Sequence, residues 1–162
     1  MNERLMKVAA VMGLAALLGV ALLRATVTGQ DTGNGKIEGT WMVTVNIDNP
    51  PPGVPPVVQA MESYIRGGRF LETGSSSSIR RGPGHGEWLQ TGHREFTSTF
   101  RFFRFDANGS YAGFQKNTRT IQLSSDGTHY TATAKVENFD TNGNLLGTTS
   151  ATETAQRMEV NQ

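Results

Sequence analysis

Three turn signals punctuate the second half of the chain: Asp106-Ala107-Asn108-Gly109, Ser125-Asp126-Gly127 and Thr141-Asn142-Gly143. Each supplies residues that tolerate positive φ, and Gly109, Gly127 and Gly143 stand 18 and 16 residues apart. Only a dozen or so residues are left between neighbouring turns, in residues 110–123 and 128–140. Within the second run Tyr130, Ala132, Ala134 and Val136 alternate with His129, Thr131, Thr133, Lys135 and Glu137. A period of two over that length is a half-buried strand. Long strands joined in sequence by tight turns make an antiparallel meander, and this feature most limits what the chain can become.

The first half reads the same way. In "IEGTWMVTVNI" Trp41, Val43, Val45 and Ile47 face one side while Met42, Thr44 and Asn46 face the other. "DNPPPGVPP" cannot join a ladder, because proline has no N–H, and is a stiff loop. "VVQAMESYIRGGRFLETG" gives two short strands around Gly67-Gly68, a two-residue hairpin signal. "SSSSIRRGPGHG" reads as a flexible loop, and strands follow in "EWLQTG" and "REFTSTFRFFRF". A last run covers residues 145–158. The expected fold is all-β: about eight strands in an up-and-down meander, closed into a barrel so that no edge is left exposed.

"TFRFFRFDANGSYAGFQ" crowds phenylalanine and arginine into a few positions and invites comparison with a base-stacking platform. Phe96, Phe100 and Phe102 share one parity, whereas Phe103 and Phe105 share the other. A bulge near Phe102-Phe103 would switch the apolar face and make the stretch a barrel wall. The basic residues around it, Arg101, Arg104, Lys116 and Arg119, are scattered. Charge argues the same way. Taking Arg4, Lys7 and Arg24 from the 15 basic groups and Glu3 from the 14 acidic ones leaves 12 against 13 after residue 30. Such a body has no global field to recruit nucleic acid, and no nucleic-acid partner is expected.

Residues 1–30 read as a targeting segment. Arg4 and Lys7 precede an apolar run from Val8 to Leu23, which is 16 residues long and ends at Arg24. That length suits a signal h-region and falls short of the roughly 20 residues of a spanning helix. Residues 1–30 are therefore a signal peptide or an uncleaved signal-anchor helix, residues 31–36 a polar linker, and residues 37–162 the barrel domain. The expected location is periplasmic or extracellular, with membrane contact only through an uncleaved leader. The chain has no cysteine, which for an exported protein leans toward a bacterial source.

Small inward side chains on a barrel strand leave room for a ligand. Tyr130, Ala132 and Ala134 are candidate lining residues on residues 128–140. On residues 110–123 the parity stays open. One face offers Gln115, Asn117 and Arg119 as polar anchors; the other offers Phe114. His85, Glu87 and His93 are the best titratable cluster, and a polar surface is the favoured reading of it. No nucleophile elbow, phosphate loop or paired zinc motif occurs. Neither metal nor cofactor is expected.

Gly39-Thr40-Trp41 opens the first strand and Arg157 lies near the end of the last. A Gly-x-Trp with such a basic residue resembles the signature of lipocalins and the wider calycin group. "GTWMVTV", "GPGHGEWLQTG", "FRFFRFDANGSYAG" and "TIQLSSDGTHYTATAKVENFDTNGNLL" are similar to exported bacterial lipocalin-like proteins of unassigned role. The resemblance implies a barrel base closed by Arg157 packed across the Trp41 ring. It also implies a cavity for a small, mostly apolar ligand. Two alternatives stand beside this one: a cavity enzyme of the cyclase or isomerase kind, similar to allene oxide cyclase and dirigent barrels, and a non-catalytic interaction module of the cell envelope.

Overall fold

The computed structural model describes residues 36–50, 52–76 and 80–159. The leader and most of the linker lie outside them. The described residues form eight strands: β1 (Gly39–Ile47), β2 (Val57–Ile65), β3 (Arg69–Gly74), β4 (Gly84–Gln90), β5 (Glu95–Phe105), β6 (Tyr111–Leu123), β7 (His129–Phe139) and β8 (Leu145–Arg157). Each pairs antiparallel with the next, and β8 returns to β1, so the sheet is a closed barrel. Closure gives every strand two neighbours and removes the sheet edge.

The three turns of the second half are fixed by aspartates. Asp106 Oδ1 accepts from the backbone N–H groups of Asn108 and Ser110, and Asp140 Oδ1 from those of Asn142 and Asn144. Asp126 Oδ1 accepts from Thr128 N–H at 3.0 Å. Two expectations about the first half are corrected. The β2–β3 connection has three residues, because Ile65 pairs with Arg69. Strand β4 begins at Gly84, inside what composition marks as a loop. Crowding demands glycine there: a Cβ on Gly84 would fall 2.8 Å from Phe100 Cδ2 and one on Gly86 2.6 Å from Phe100 Cα, so β5 lies against bare backbone.

A bulge does interrupt the β5–β6 register between Phe103 and Phe105. Phe96, Phe100 and Phe102 are buried, whereas Phe103 is 62% exposed and packs edge-on against Tyr111. The aromatic stretch is therefore barrel wall. Burial also decides the parity of β6. Gly113, Asn117, Arg119, Ile121 and Leu123 point inward. Phe114 stands on the outer face, stacked on Phe139 at 4.6 Å with the Arg101 guanidinium 5.3 Å from its ring. The expectation that Phe114 lines the interior is corrected, because one strand cannot send adjacent residues to the same face.

One end of the barrel is filled. Trp41 is fully buried and its Nε1 donates to the Ile37 carbonyl at 2.9 Å. The Arg157 guanidinium lies 4.3 Å from the Trp41 ring centroid. Its nitrogens donate to the carbonyls of Gly127, Glu38 and Lys36 at 2.6–2.8 Å. This accounts for the glycine of Gly-x-Trp. Gly39 has φ +129°, and a Cβ there would fall 2.6 Å from Arg157 Nη1. Tyr130 packs edge-on against Trp41 at 4.9 Å, and Tyr64, Phe70, Phe96, Ile121, Leu123 and Ala132 complete the plug.

Candidate functional site

Above the plug the interior is polar. Glu62 on β2, Glu72 on β3, Ser98 on β5, Asn117 and Arg119 on β6, and Glu153 on β8 are all buried. Each occupies the inward parity of its strand: Glu62 between Ala60 and Tyr64, Glu72 between Phe70 and Gly74, Glu153 between Ala151 and Ala155. An acidic residue in phase with a strand's buried apolar positions was the available signal for this site. Sequence reasoning missed all three carboxylates.

Arg119 is the hub. Its Nη1 donates to Glu62 Oε1 and, at 3.1 Å, to Glu153 Oε2. Its Nη2 donates to Tyr64 Oη at 2.9 Å and its Nε to Ser98 Oγ at 2.9 Å. Glu62 Oε2 accepts from Tyr130 Oη at 2.6 Å and from Tyr64 Oη at 3.2 Å. Glu62 is thus paired and hydrogen-bonded on both oxygens. Glu72 pairs with Arg81, whose guanidinium lies 3.7 Å from the Phe102 ring centroid.

Glu153 is the surplus carboxylate. It shares Arg119 with Glu62, and burial raises its pKa to about 7 against the opposing pull of Arg119, with Glu62 adding to the rise. Burial likewise raises the Glu72 carboxyl above its usual range, with Arg81 opposing. It also pushes both tyrosines well above 10.0. Burial opposes the charge on Arg119, but Glu62, Tyr64 and Glu153 outweigh it and raise its pKa above the ordinary guanidinium value.

Over this floor opens a cavity of about 400 Å³. Val45, Val58, Ala134, Val136, Phe100 and Phe102 give it apolar walls, and Glu62, Glu72 and Glu153 meet it from below. Pro52 and Val54 of the proline-rich loop reach its mouth. Gln115, Asn117 and Ala134 line it as well. Arg119, Tyr130 and Ala132 do not. Arg119 lies within the floor, while Tyr130 and Ala132 belong to the plug, where the small side chain of Ala132 is packed over rather than left open. A larger, open depression of about 870 Å³ is lined mainly by β7 and β8 and shares Arg104, Ala134, Asn138 and Thr149 with the cavity.

His85 and His93 are exposed, and Glu87 pairs with Arg69 on the outer surface. Among the described residues no group of three His, Cys, Asp or Glu is placed to hold a metal ion.

Comparison with protein-family models, with curated proteins and with solved structures finds no match. The chain is an eight-stranded antiparallel closed barrel, compatible with a lipocalin-like fold.

Proposed function

We propose that this protein is an exported barrel that binds a small, mostly apolar molecule in its cavity. The observation that carries the reading is a cavity of about 400 Å³ held between apolar walls over a floor of paired charges. Concave, largely apolar sites with a few converging polar groups are the usual form of a small-molecule site. A filled interior is what an envelope interaction module would have, so the cavity counts against that alternative. Export rests on Arg4, Lys7 and the apolar run that follows them.

Titration with a neutral apolar fluorophore tests the binding. Saturable uptake at low-micromolar concentration is expected, and none should remain when Ala134→Phe fills the cavity. A wild-type protein that takes up no apolar probe ends the reading. N-terminal sequencing of the protein recovered from its host tests export, with the mature chain expected to begin between about residues 26 and 32.

One observation favours a second reading, a cavity enzyme. Glu153 faces the cavity with a pKa near 7, where a carboxyl can both give and take a proton at neutral pH. A bell-shaped or sigmoidal rate profile with a midpoint near pH 7, lost in Glu153→Gln, would support it.

A further inference from the structure

Two buried nitrogens have no hydrogen-bond partner among the described residues: Nη1 of Arg104 and Nδ2 of Asn117. Both residues line the same cavity. Asn117 is 6% exposed, and its Oδ1 already accepts from Gln115 Nε2 at 3.1 Å. The two stand on adjacent strands, since Asn117 pairs with Phe100 and Arg104 lies four residues further along β5. Both unanswered groups are donors. A buried donor left unpaired is costly, so the feature the cavity lacks is an acceptor oxygen.

The charge around the mouth says which kind. Arg104 bridges to Arg81 on the neighbouring segment, Arg80 precedes Arg81 in the chain, and all three line the cavity. Of the floor carboxylates, Glu72 reaches up to them, and it is taken by Arg81. The deeper carboxylates Glu62 and Glu153 are both held by Arg119. The mouth therefore carries surplus positive charge, while the floor is closed to an anion by its own acids. A cationic ligand is disfavoured at the mouth, a neutral one leaves the arginines unanswered, and an anionic oxygen satisfies both charge and donor.

Taking the cavity as a ligand site, we infer that its ligand is an amphipathic acid. The apolar body lies against Val45, Val136 and Phe102, and the acceptor oxygens, a carboxylate among them, answer Arg104 and Asn117.

Dansylated undecanoic acid and its methyl ester test this as a matched pair. Wild type is expected to bind the acid about tenfold more tightly than the ester, the scale of one charge-assisted hydrogen bond, and to lose part of that preference as salt rises. Arg104→Met should bring the acid down to the ester. Asn117→Leu should weaken both probes severalfold. Arg104→Met should leave the thermal midpoint in place, because it replaces an unanswered donor with an apolar side chain; Asn117→Leu also takes the acceptor from Gln115 Nε2 and should lower the midpoint only slightly. Equal binding of acid and ester by wild type overturns the inference and leaves the cavity reading standing. So does an acid preference that survives Arg104→Met, or a large loss of stability in both variants. If neither probe binds, both readings fall together.

Discussion

Replacing Glu153 by glutamine should make the protein more stable, and only at high pH. Glu153 is 5% exposed and titrates near 7 in the fold, against 4.5 for a free side chain. The folded state holds this proton more tightly than the unfolded state, so acid favours folding. The contribution is complete below about 4.5, declines above it, and is gone once pH passes about 7. Above that, the fold carries a carboxylate that burial disfavours. At about 1.36 kcal/mol per pH unit, the gap between 4.5 and about 7 is on the order of 3 kcal/mol. Glutamine keeps the shape and an oxygen that still accepts from Arg119 Nη1, but has no proton to lose. Arg119 keeps Glu62 as its charged partner. Urea unfolding of wild type and Glu153→Gln at pH 5 and pH 8.5 measures the effect. The two should agree within about 1 kcal/mol at pH 5, with the variant ahead by roughly 2–3 kcal/mol at pH 8.5. Glu72 also has a raised pKa and biases both proteins the same way, so it cancels from the difference. A difference that stays flat between the two pH values would show that Glu153 ionises normally and that the floor is wetter than its burial implies.

The remaining expectations concern the plug, the floor and the cavity wall. Trp41→Ala should cost about 3–5 kcal/mol. Arg157→Ala should cost about 2 kcal/mol, since three carbonyls lose their donor along with the ring contact. Denaturant melts of the two single variants and the double variant should show less than additive losses, and full additivity would mean that the two side chains close the base independently. Arg119→Met leaves Glu62 and Glu153 buried without their cation and should cost about 3–5 kcal/mol; a loss under about 1 kcal/mol would place the pair in solvent. Ala134→Phe should abolish probe uptake while the denaturation midpoint barely moves, because an open cavity accepts volume that a packed interior refuses.

The strand pattern and the positions of the turns depend on short-range rules, and these were open to sequence reasoning; the Trp41–Arg157 closure is a long-range contact and was reached only through the lipocalin resemblance. Alternation marks a strand wherever one face is buried, and 'TWMVTV' and 'HYTATAKV' carry it without ambiguity. Gly39 could be noticed as part of a motif, but its reason, the Arg157 guanidinium lying where a Cβ would be, needs the 117 residues between them to be folded.

What only the tertiary structure decided is which face of each strand is inside and what meets there. Both parities of β6 carry polar and apolar residues, so alternation by itself could not choose between Phe114 and Asn117. The barrel chose, by placing Ile121 and Leu123 against the plug and carrying Asn117 and Arg119 inward with them. The floor lay further beyond reach. Glu62, Arg119 and Glu153 come from β2, β6 and β8 and are separated by 57 and 34 residues. A carboxylate read along one strand is a surface residue until a guanidinium from another strand is shown to answer it. Charge pairing is set by distance in space, and closure of the barrel brings these strands to a common interior.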